Sequence, residues 1–85
     1  MSLTETFERA VAESKTLVQK PDNETLLELY SLYKQATEGD VPENWAYSMF
    51  DFVGEAKYEA WSKRKGSTKQ QAMQQYVDLI IRLKR

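Results

Sequence analysis

Hydrophobic residues recur at helical spacing along most of the chain, and residues 26–40 carry the most informative pattern. At roughly 100° per residue, the apolar and aromatic side chains cover more than half of this helix circumference. Lys34 falls inside the apolar arc, between Tyr30 and Leu27. A helix packed on one neighbour needs a stripe of only roughly 100° or slightly more. The pattern therefore predicts a helix that packs on two sides or meets a ligand. Its clean polar face is narrow and consists of Glu28, Ser31 and Gln35.

Capping residues, proline and glycine indicate where the first two helices begin and end. Ser2 followed by Glu5 fits a capping box at the start of the first helix. Pro21 is expected to end it, because proline disfavours helical geometry in the preceding residue. The second helix is predicted to begin after residue 22 or 23 and to end at Gly39, a typical residue just past a helix C-terminus.

Two further helices are predicted in the second half of the chain. Asp51 can cap a third helix over residues 52–65, and Gly66 ends it. Residues 67–68 then cap the fourth, whose broad apolar face has Tyr76 in its middle. Residues 40–50 lack a clear period and are predicted to form a loop. With no strand pattern in the sequence, we expect an all-α fold of four helices in a single domain of 85 residues.

Composition excludes several classes of function. The chain has neither histidine nor cysteine, which removes imidazole and thiolate chemistry and the usual zinc sites. Its net charge of −1 disfavours a nucleic-acid partner. There is no apolar run long enough for a membrane span and no signal-like start. We therefore expect an intracellular, cytoplasmic protein without stable membrane insertion.

Three lysines stand beside apolar residues rather than among other charges. Lys15, Lys34 and Lys57 occupy such positions on three different predicted helices. Each could be a lysine whose stem covers apolar surface while its ammonium group reaches water. If the three faces converge, they would instead form the rim of a pocket. Such a pocket, with tyrosine walls, suits a ligand that carries an aromatic ring and a phosphate.

The tyrosines allow the same two interpretations. Tyr30 and Lys34 follow Leu27 at positions i+3 and i+7, with Tyr33 alongside. Tyr76 holds the centre of the last apolar face. All three tyrosines could belong to the core, or their rings could line a ligand pocket with the hydroxyl groups toward solvent.

Longer motifs resemble those of a known family. Residues 29–40, LYSLYKQATEGD, closely resemble the Y-S-x-Y-K-Q-A-T-x-G-D signature of acyl-CoA-binding proteins. Lys20-Pro21 matches the K-P exit of the family's first helix. Residues 51–61 resemble D-F-x-G-x-A-K-[WY]-x-A-W, and residues 65–77 resemble K-G-[ST]-[ST]-x followed by A-M and Y-[IV]. The similarity runs the whole chain, and the resemblance implies a four-helix, up-down-down-up bundle.

The resemblance also implies a function. Members of this family bind medium- to long-chain fatty acyl-CoA esters without catalysis, and they buffer and carry these esters inside cells. The expectation for this chain is a monomeric acyl-CoA carrier, with the acyl-CoA ester as its ligand and no cofactor. An enzyme acting on acyl-CoA and a helical protein-interaction module are the alternatives, the second because the aromatic face of the second helix could receive a partner helix.

Residue roles at the nucleotide end follow from the resemblance alone. By matched position, Tyr30, Lys34 and Lys57 would hold the 3′-phosphate of the CoA adenosine. Lys15 would add a further basic contact to the ligand.

The remaining matched positions concern the adenine and the acyl chain. Tyr33 and Tyr76 would pack on the adenine and the adjacent part of CoA. Val11 and Leu27 would line the groove for the acyl chain. The bundle core would then use Leu29, Leu32 and Ala36 of the second helix.

Overall fold

The computed structural model describes residues 2–44 and 51–85, and these residues form helices without any strand. The helices are α1 (Leu3–Ser14), α2 (Asn23–Glu38), α3 (Phe52–Ser62) and α4 (Lys69–Leu83). The all-α prediction is confirmed, and residues 41–44 are non-helical as predicted. The other part of the predicted loop, residues 45–50, lies outside the described residues.

Contacts between side chains give the direction of α1, α2 and α4. The Phe7 ring lies 5.2 Å from that of Tyr76, and Glu13 forms an ion pair with Lys84. From the first contact to the second, the residue number rises in both helices, so α1 and α4 are parallel. Tyr33, in the C-terminal half of α2, contacts Phe7 in the N-terminal half of α1. Helix α2 therefore runs opposite to α1 and α4.

Helix α3 runs parallel to α2. The Lys57 ammonium lies over the Tyr30 ring, and the Lys34 ammonium lies over the Trp61 ring. From the first contact to the second, the residue number rises in both helices, which therefore run in the same direction. The order is therefore up-down-down-up, as the resemblance implied.

Helix α4 is central to the core, because it packs on both α1 and α2, whereas α3 packs on α2. A fully buried leucine or isoleucine contributes about 1.5–3 kcal/mol. Most of the predicted apolar face of α4 is buried, but Met73 and Leu83 are only partly buried and Ile81 remains 47% exposed. The buried cluster comprises Phe7 and Ala10 of α1, Leu29, Leu32 and Ala36 of α2, and Ala72, Tyr76, Val77, Leu79 and Ile80 of α4.

Two residues on the narrow polar face of α2 are buried, although the sequence pattern predicted a solvent-exposed face, and only its third residue, Glu28, is exposed. Ser31 and Gln35 are 1% and 0% exposed, because α2 packs against α3 on one side and α4 on the other. The Ser31 hydroxyl donates to the Glu28 carbonyl and accepts from Arg64 Nε at 3.1 Å. Two-sided packing thus accounts for much of the excess apolar arc.

A polar network joins the end of α2 to the connection between α3 and α4. Gln35 Nε2 donates to Asp40 Oδ1 and to the Ser67 carbonyl, both at 2.8 Å. The backbone N–H of Gly66 donates to the same Asp40 oxygen at 3.0 Å. These hydrogen bonds fix where α4 begins relative to α2.

A second tie holds α3 against the end of α2. Trp61 is completely buried, and its Nε1–H donates to the Gly39 carbonyl at 2.9 Å. Gly39 has φ of 83°, a left-handed conformation that glycine adopts without strain. The turn after α2 therefore presents its carbonyl to a buried indole.

The prediction that α1 continues to Pro21 was wrong, since α1 ends at Ser14. The Ser14 hydroxyl donates to the Val11 carbonyl at 2.6 Å, and the Thr16 hydroxyl donates to the Glu13 carbonyl at 3.1 Å. Hydroxyls that bond to nearby carbonyls compete with the helix in this way. Val18, predicted on the apolar face of α1, is fully exposed.

The predicted end of α3 was also too late, because the helix ends at Ser62 and residues 63–66 form turns. There the backbone N–H of Arg64 donates to the Trp61 carbonyl, and that of Lys65 donates to the Ser62 carbonyl. These are hydrogen bonds of the 3₁₀ type, which tighten the last turn of a helix. The predicted helix starts are confirmed at Ser2, Asp22, Asp51 and Thr68, each of which caps its helix.

Gln35→Leu is expected to lower the unfolding free energy by about 2–4 kcal/mol. The change preserves most of the side-chain volume, but it removes two hydrogen bonds and leaves the Ser67 carbonyl without this donor. Urea denaturation followed by circular dichroism measures the loss. Gln70→Leu, at an exposed position of α4, is the control and should stay within about 0.5 kcal/mol of wild type. Equal effects of the two substitutions would contradict a structural role for the Gln35 amide.

Asp40→Asn is expected to flatten the loss of stability in acid. The hydrogen bond from the Gly66 N–H, and then that from Gln35, hold the pKa of Asp40 below its ordinary value of 3.8. A carboxyl group with a lowered folded-state pKa stabilises the fold above its unfolded pKa, and this contribution is lost as pH falls through the folded-state pKa. Urea denaturation at a series of pH values down to about pH 2 tests this.

Asp78→Asn removes an equal charge from α4 and controls for the change in net charge. Acid profiles of Asp40→Asn and wild type that run parallel would show that Asp40 makes no such contribution.

Candidate ligand-binding site

Two lysines and two aromatic rings alternate across the interface of α2 and α3. Lys57 Nζ lies 5.2 Å from the ring centroid of Tyr30, and Lys34 Nζ lies 5.5 Å from the ring centroid of Trp61. Tyr30 and Lys34 are one helical turn apart on α2, as are Lys57 and Trp61 on α3. We call these four residues the lysine–aromatic cluster. The structure thus brings together the three residues predicted to hold a phosphate.

Lys34 is the best defined cation of the cluster. Its side chain is 28% exposed, and its Nζ forms an ion pair with Glu38 Oε2 at 2.5 Å. The hydrogen bond to Glu38 raises the pKa of Lys34 above its ordinary value of 10.5; partial burial acts in the opposite direction, and the Tyr30 and Tyr33 hydroxyls add a smaller increase. The ammonium group is therefore charged at neutral pH, with the Glu38 carboxylate as its partner.

Three aromatic rings meet where α1, α2 and α4 come together. Phe7 stacks on Tyr33 with a centroid distance of 6.1 Å, and its edge contact with Tyr76 is 5.2 Å. Tyr33 is 40% exposed, whereas Tyr76 is 4% exposed. Burial raises the pKa of Tyr76, against a smaller lowering by a hydrogen bond with Ser14. Tyr76 is therefore neutral and supports the ring of Tyr33 from within the core.

A cavity of about 360 Å³ adjoins these rings. Val11 and Tyr33 line it together with Phe7 and Met73, and its lining is mostly apolar. An open, flat side of Tyr33 beside apolar side chains can accept a planar aromatic ring by offset stacking.

Leu27 lies on a different cavity, between α2 and α3. This space of about 500 Å³ is lined by Leu27, Ala56 and Ala60, with Glu28 and Arg64 among its polar residues. In the part of the chain that the structure describes, Val11 and Leu27 are therefore not brought into one cavity. Their assignment to a common acyl groove stays a prediction.

Lys15 is the C-cap residue of α1 and is exposed. It belongs to neither the lysine–aromatic cluster nor the cavity beside Tyr33. Its role as a further basic contact also stays a prediction.

Sequence reasoning did not assign site roles to Trp61, Glu38 or Phe7. The Lys34 ammonium group lies over the Trp61 ring and forms an ion pair with Glu38. Phe7 stacks on Tyr33. Helical spacing could have indicated the Glu38 contact, because residues four apart on a helix are neighbours. The other two contacts join different helices and leave no local signal in the sequence.

Two kinds of site are absent from the described residues. Within residues 2–44 and 51–85, no helix is long and apolar enough to cross a membrane. The same two segments contain no group of three or more Asp, Glu, His or Cys side chains that could hold a metal ion.

Comparison with known proteins places this geometry in a family. Residues 4–80 match the family described as acyl CoA binding protein. The chain is 44% identical over 80 residues to an acyl-CoA-binding protein of Dictyostelium discoideum, an alignment that covers 92% of each chain. It is 43% identical over 81 residues to the acyl-CoA-binding protein homolog 1 of Caenorhabditis elegans, covering 95% of this chain and 93% of the relative.

A solved structure agrees with these relatives. The crystal structure of Oryza sativa acyl-CoA-binding protein 2 superposes with a TM-score of 0.89 at 36% sequence identity, covering 96% of this chain and 90% of the rice chain. The helix order, the matched sequence and the superposition agree, and the chain belongs to the acyl-CoA-binding protein family.

Proposed function

We propose that this protein binds medium- to long-chain fatty acyl-CoA esters without converting them, and that it carries and buffers them inside the cell. The observation that carries the proposal is the lysine–aromatic cluster, which sets two ammonium groups and the Tyr30 ring along one helix interface. Membership of the family and relatives named as acyl-CoA-binding proteins support it.

The cluster is the proposed site of the 3′-phosphate. Lys34 and Lys57 supply positive charge, and the Tyr30 hydroxyl supplies a hydrogen bond. Hydrogen bonds to charged groups contribute about 1.5–3 kcal/mol each, more than neutral ones. The aromatic rings limit the freedom of the two lysine stems, which lowers the entropy lost on binding. Lys15 would approach the ligand from the end of α1.

The aromatic cavity is the proposed site of the adenine. The exposed ring of Tyr33 would stack on the base, and Tyr76 would support it from behind. Val11 lies in the same cavity, at the side where apolar ligand surface would continue. Lys34 directly follows Tyr33 in α2, so the proposed phosphate site and the proposed adenine site would share this helix.

Shielding of the acyl chain from water would contribute much of the affinity. Each buried methylene group is worth about 0.8 kcal/mol, so a long chain adds more than the phosphate contacts. Val11 and Leu27 are the proposed apolar contacts. The carrier function follows from the combination of a nucleotide site with apolar contacts for the acyl chain. Only the ester can use both, because CoA alone lacks the acyl chain and a free fatty acid lacks the nucleotide.

The remaining proposals concern the setting of the carrier. We place it in the cytoplasm as a monomer that needs no cofactor and whose ligand is the acyl-CoA ester itself. The absence of histidine and cysteine from the chain leaves a thioesterase or acyl transferase without a thiolate nucleophile and without an imidazole base.

Calorimetric titration with palmitoyl-CoA, free CoA and palmitate tests the function. Palmitoyl-CoA should bind far more tightly than either fragment, because it alone fills both the polar and the apolar parts. Free thiol should not accumulate during prolonged incubation with the ester. Thiol release would support an enzyme. Failure to bind palmitoyl-CoA, together with binding of an amphipathic helical peptide, would support an interaction module.

Lys34→Ala is expected to weaken palmitoyl-CoA binding by about 1.5–3 kcal/mol, or roughly 10- to 150-fold. The loss arises because the phosphate would no longer meet the ammonium group held over Trp61. Lys84→Ala is the matched control, since Lys84 also pairs with a glutamate but lies at the far end of α4. If Lys34→Ala binds palmitoyl-CoA as tightly as the wild-type protein, the proposed contact between Lys34 and the phosphate is wrong.

A further inference from the structure

We propose that Glu38 competes with the ligand phosphate for Lys34 and so lowers the affinity of this protein for acyl-CoA. The inference rests on the proposed function, because it concerns the same lysine. It adds a residue that would set the affinity through its ion pair with Lys34.

The geometry of the pair makes Glu38 a competitor. Its carboxylate oxygen lies 2.5 Å from Lys34 Nζ, within charge-assisted hydrogen-bond distance. The ammonium group also lies over the Trp61 ring, so its free directions are limited. A phosphate that approaches Lys34 must displace the carboxylate or lie close to it. Because both groups are negative, either outcome weakens phosphate binding.

Helix stability does not explain a glutamate at this position. Glu38 is the last residue of α2, where the helix dipole disfavours a negative charge. A lysine four residues before a glutamate is also the less favourable order for an ion pair on a helix. Both groups are partly exposed, at 28% for Lys34 and 52% for Glu38, which limits the pair's contribution to stability. The main consequence of the pair is therefore the restraint on Lys34.

Glu38→Gln removes the competing charge and keeps the shape of the side chain. Palmitoyl-CoA should then bind about two- to fivefold more tightly in calorimetric titration, the range expected for breaking a partly exposed ion pair. Asp78→Asn is the control for net charge, because it removes a carboxylate on α4 whose hydrogen bond is to Gln74 of the same helix. It should leave the affinity unchanged. Thermal unfolding should show that both variants keep the wild-type fold.

A double-mutant cycle with Lys34→Ala separates competition from general repulsion. If Glu38 acts by occupying Lys34, the gain from Glu38→Gln disappears in the Lys34→Ala background. The gain should also disappear with the 3′-dephospho form of palmitoyl-CoA. An equal gain in either case, or no gain in the wild-type background, overturns the inference.

The test distinguishes this inference from the function on which it rests. Wild-type binding of palmitoyl-CoA without any gain in Glu38→Gln overturns the role of Glu38 alone. Absence of palmitoyl-CoA binding by the wild-type protein overturns the proposed function, and the inference with it.

Discussion

The buried side-chain amide of Gln35 is the interaction on which the arrangement of the helices depends most. A polar group without contact to water is costly unless it is hydrogen-bonded, and Gln35 Nε2 meets two acceptors, Asp40 Oδ1 and the Ser67 carbonyl. These acceptors lie in the turn after α2 and in the connection before α4. Apolar packing tolerates small shifts between helices, but hydrogen bonds of 2.8 Å do not. The amide therefore fixes the register in which the helices pack.

The ligand site depends on this register. Trp61 donates to the carbonyl of Gly39, next to the Gln35–Asp40 network, and the same indole lies beneath the ammonium group of Lys34. The residues that hold α3 against α2 thus also place one of the two clustered lysines. A substitution that loosens the network would displace the lysine–aromatic cluster without touching it. The proposed ligand recognition would therefore be coupled to stability through Trp61.

Different sides of helix α2 belong to the core and to the proposed ligand site. Leu29, Leu32 and Ala36 are buried in the core, as the sequence pattern predicted, whereas Tyr33 keeps 40% of its surface exposed. Lys34 lies on another side of the helix, between Tyr30 and Leu27. Its charge is local, on a chain with a net charge of −1, so the proposed recognition of an anion would rest on a few placed cations rather than on an overall basic surface.

The sequence by itself determined the features that depend on neighbouring residues. The caps at Ser2, Asp22, Asp51 and Thr68 and the end of α2 at Gly39 follow from local hydrogen bonding and backbone geometry, so they could be predicted. The family signature likewise predicted the bundle, and it pointed to Tyr30, Lys34 and Lys57, which the structure brings together.

Only the tertiary structure decided which polar residues are buried and which charges meet. Ser31 and Gln35 look like a solvent face along α2, and they are buried because α3 and α4 cover both sides. Gln35 Nε2 donates to the Ser67 carbonyl, which lies 32 residues away in sequence. The separation of Val11 and Leu27 into two cavities also depends on helix packing. Local patterns cannot specify such contacts, because they arise between residues that only the folded chain brings together.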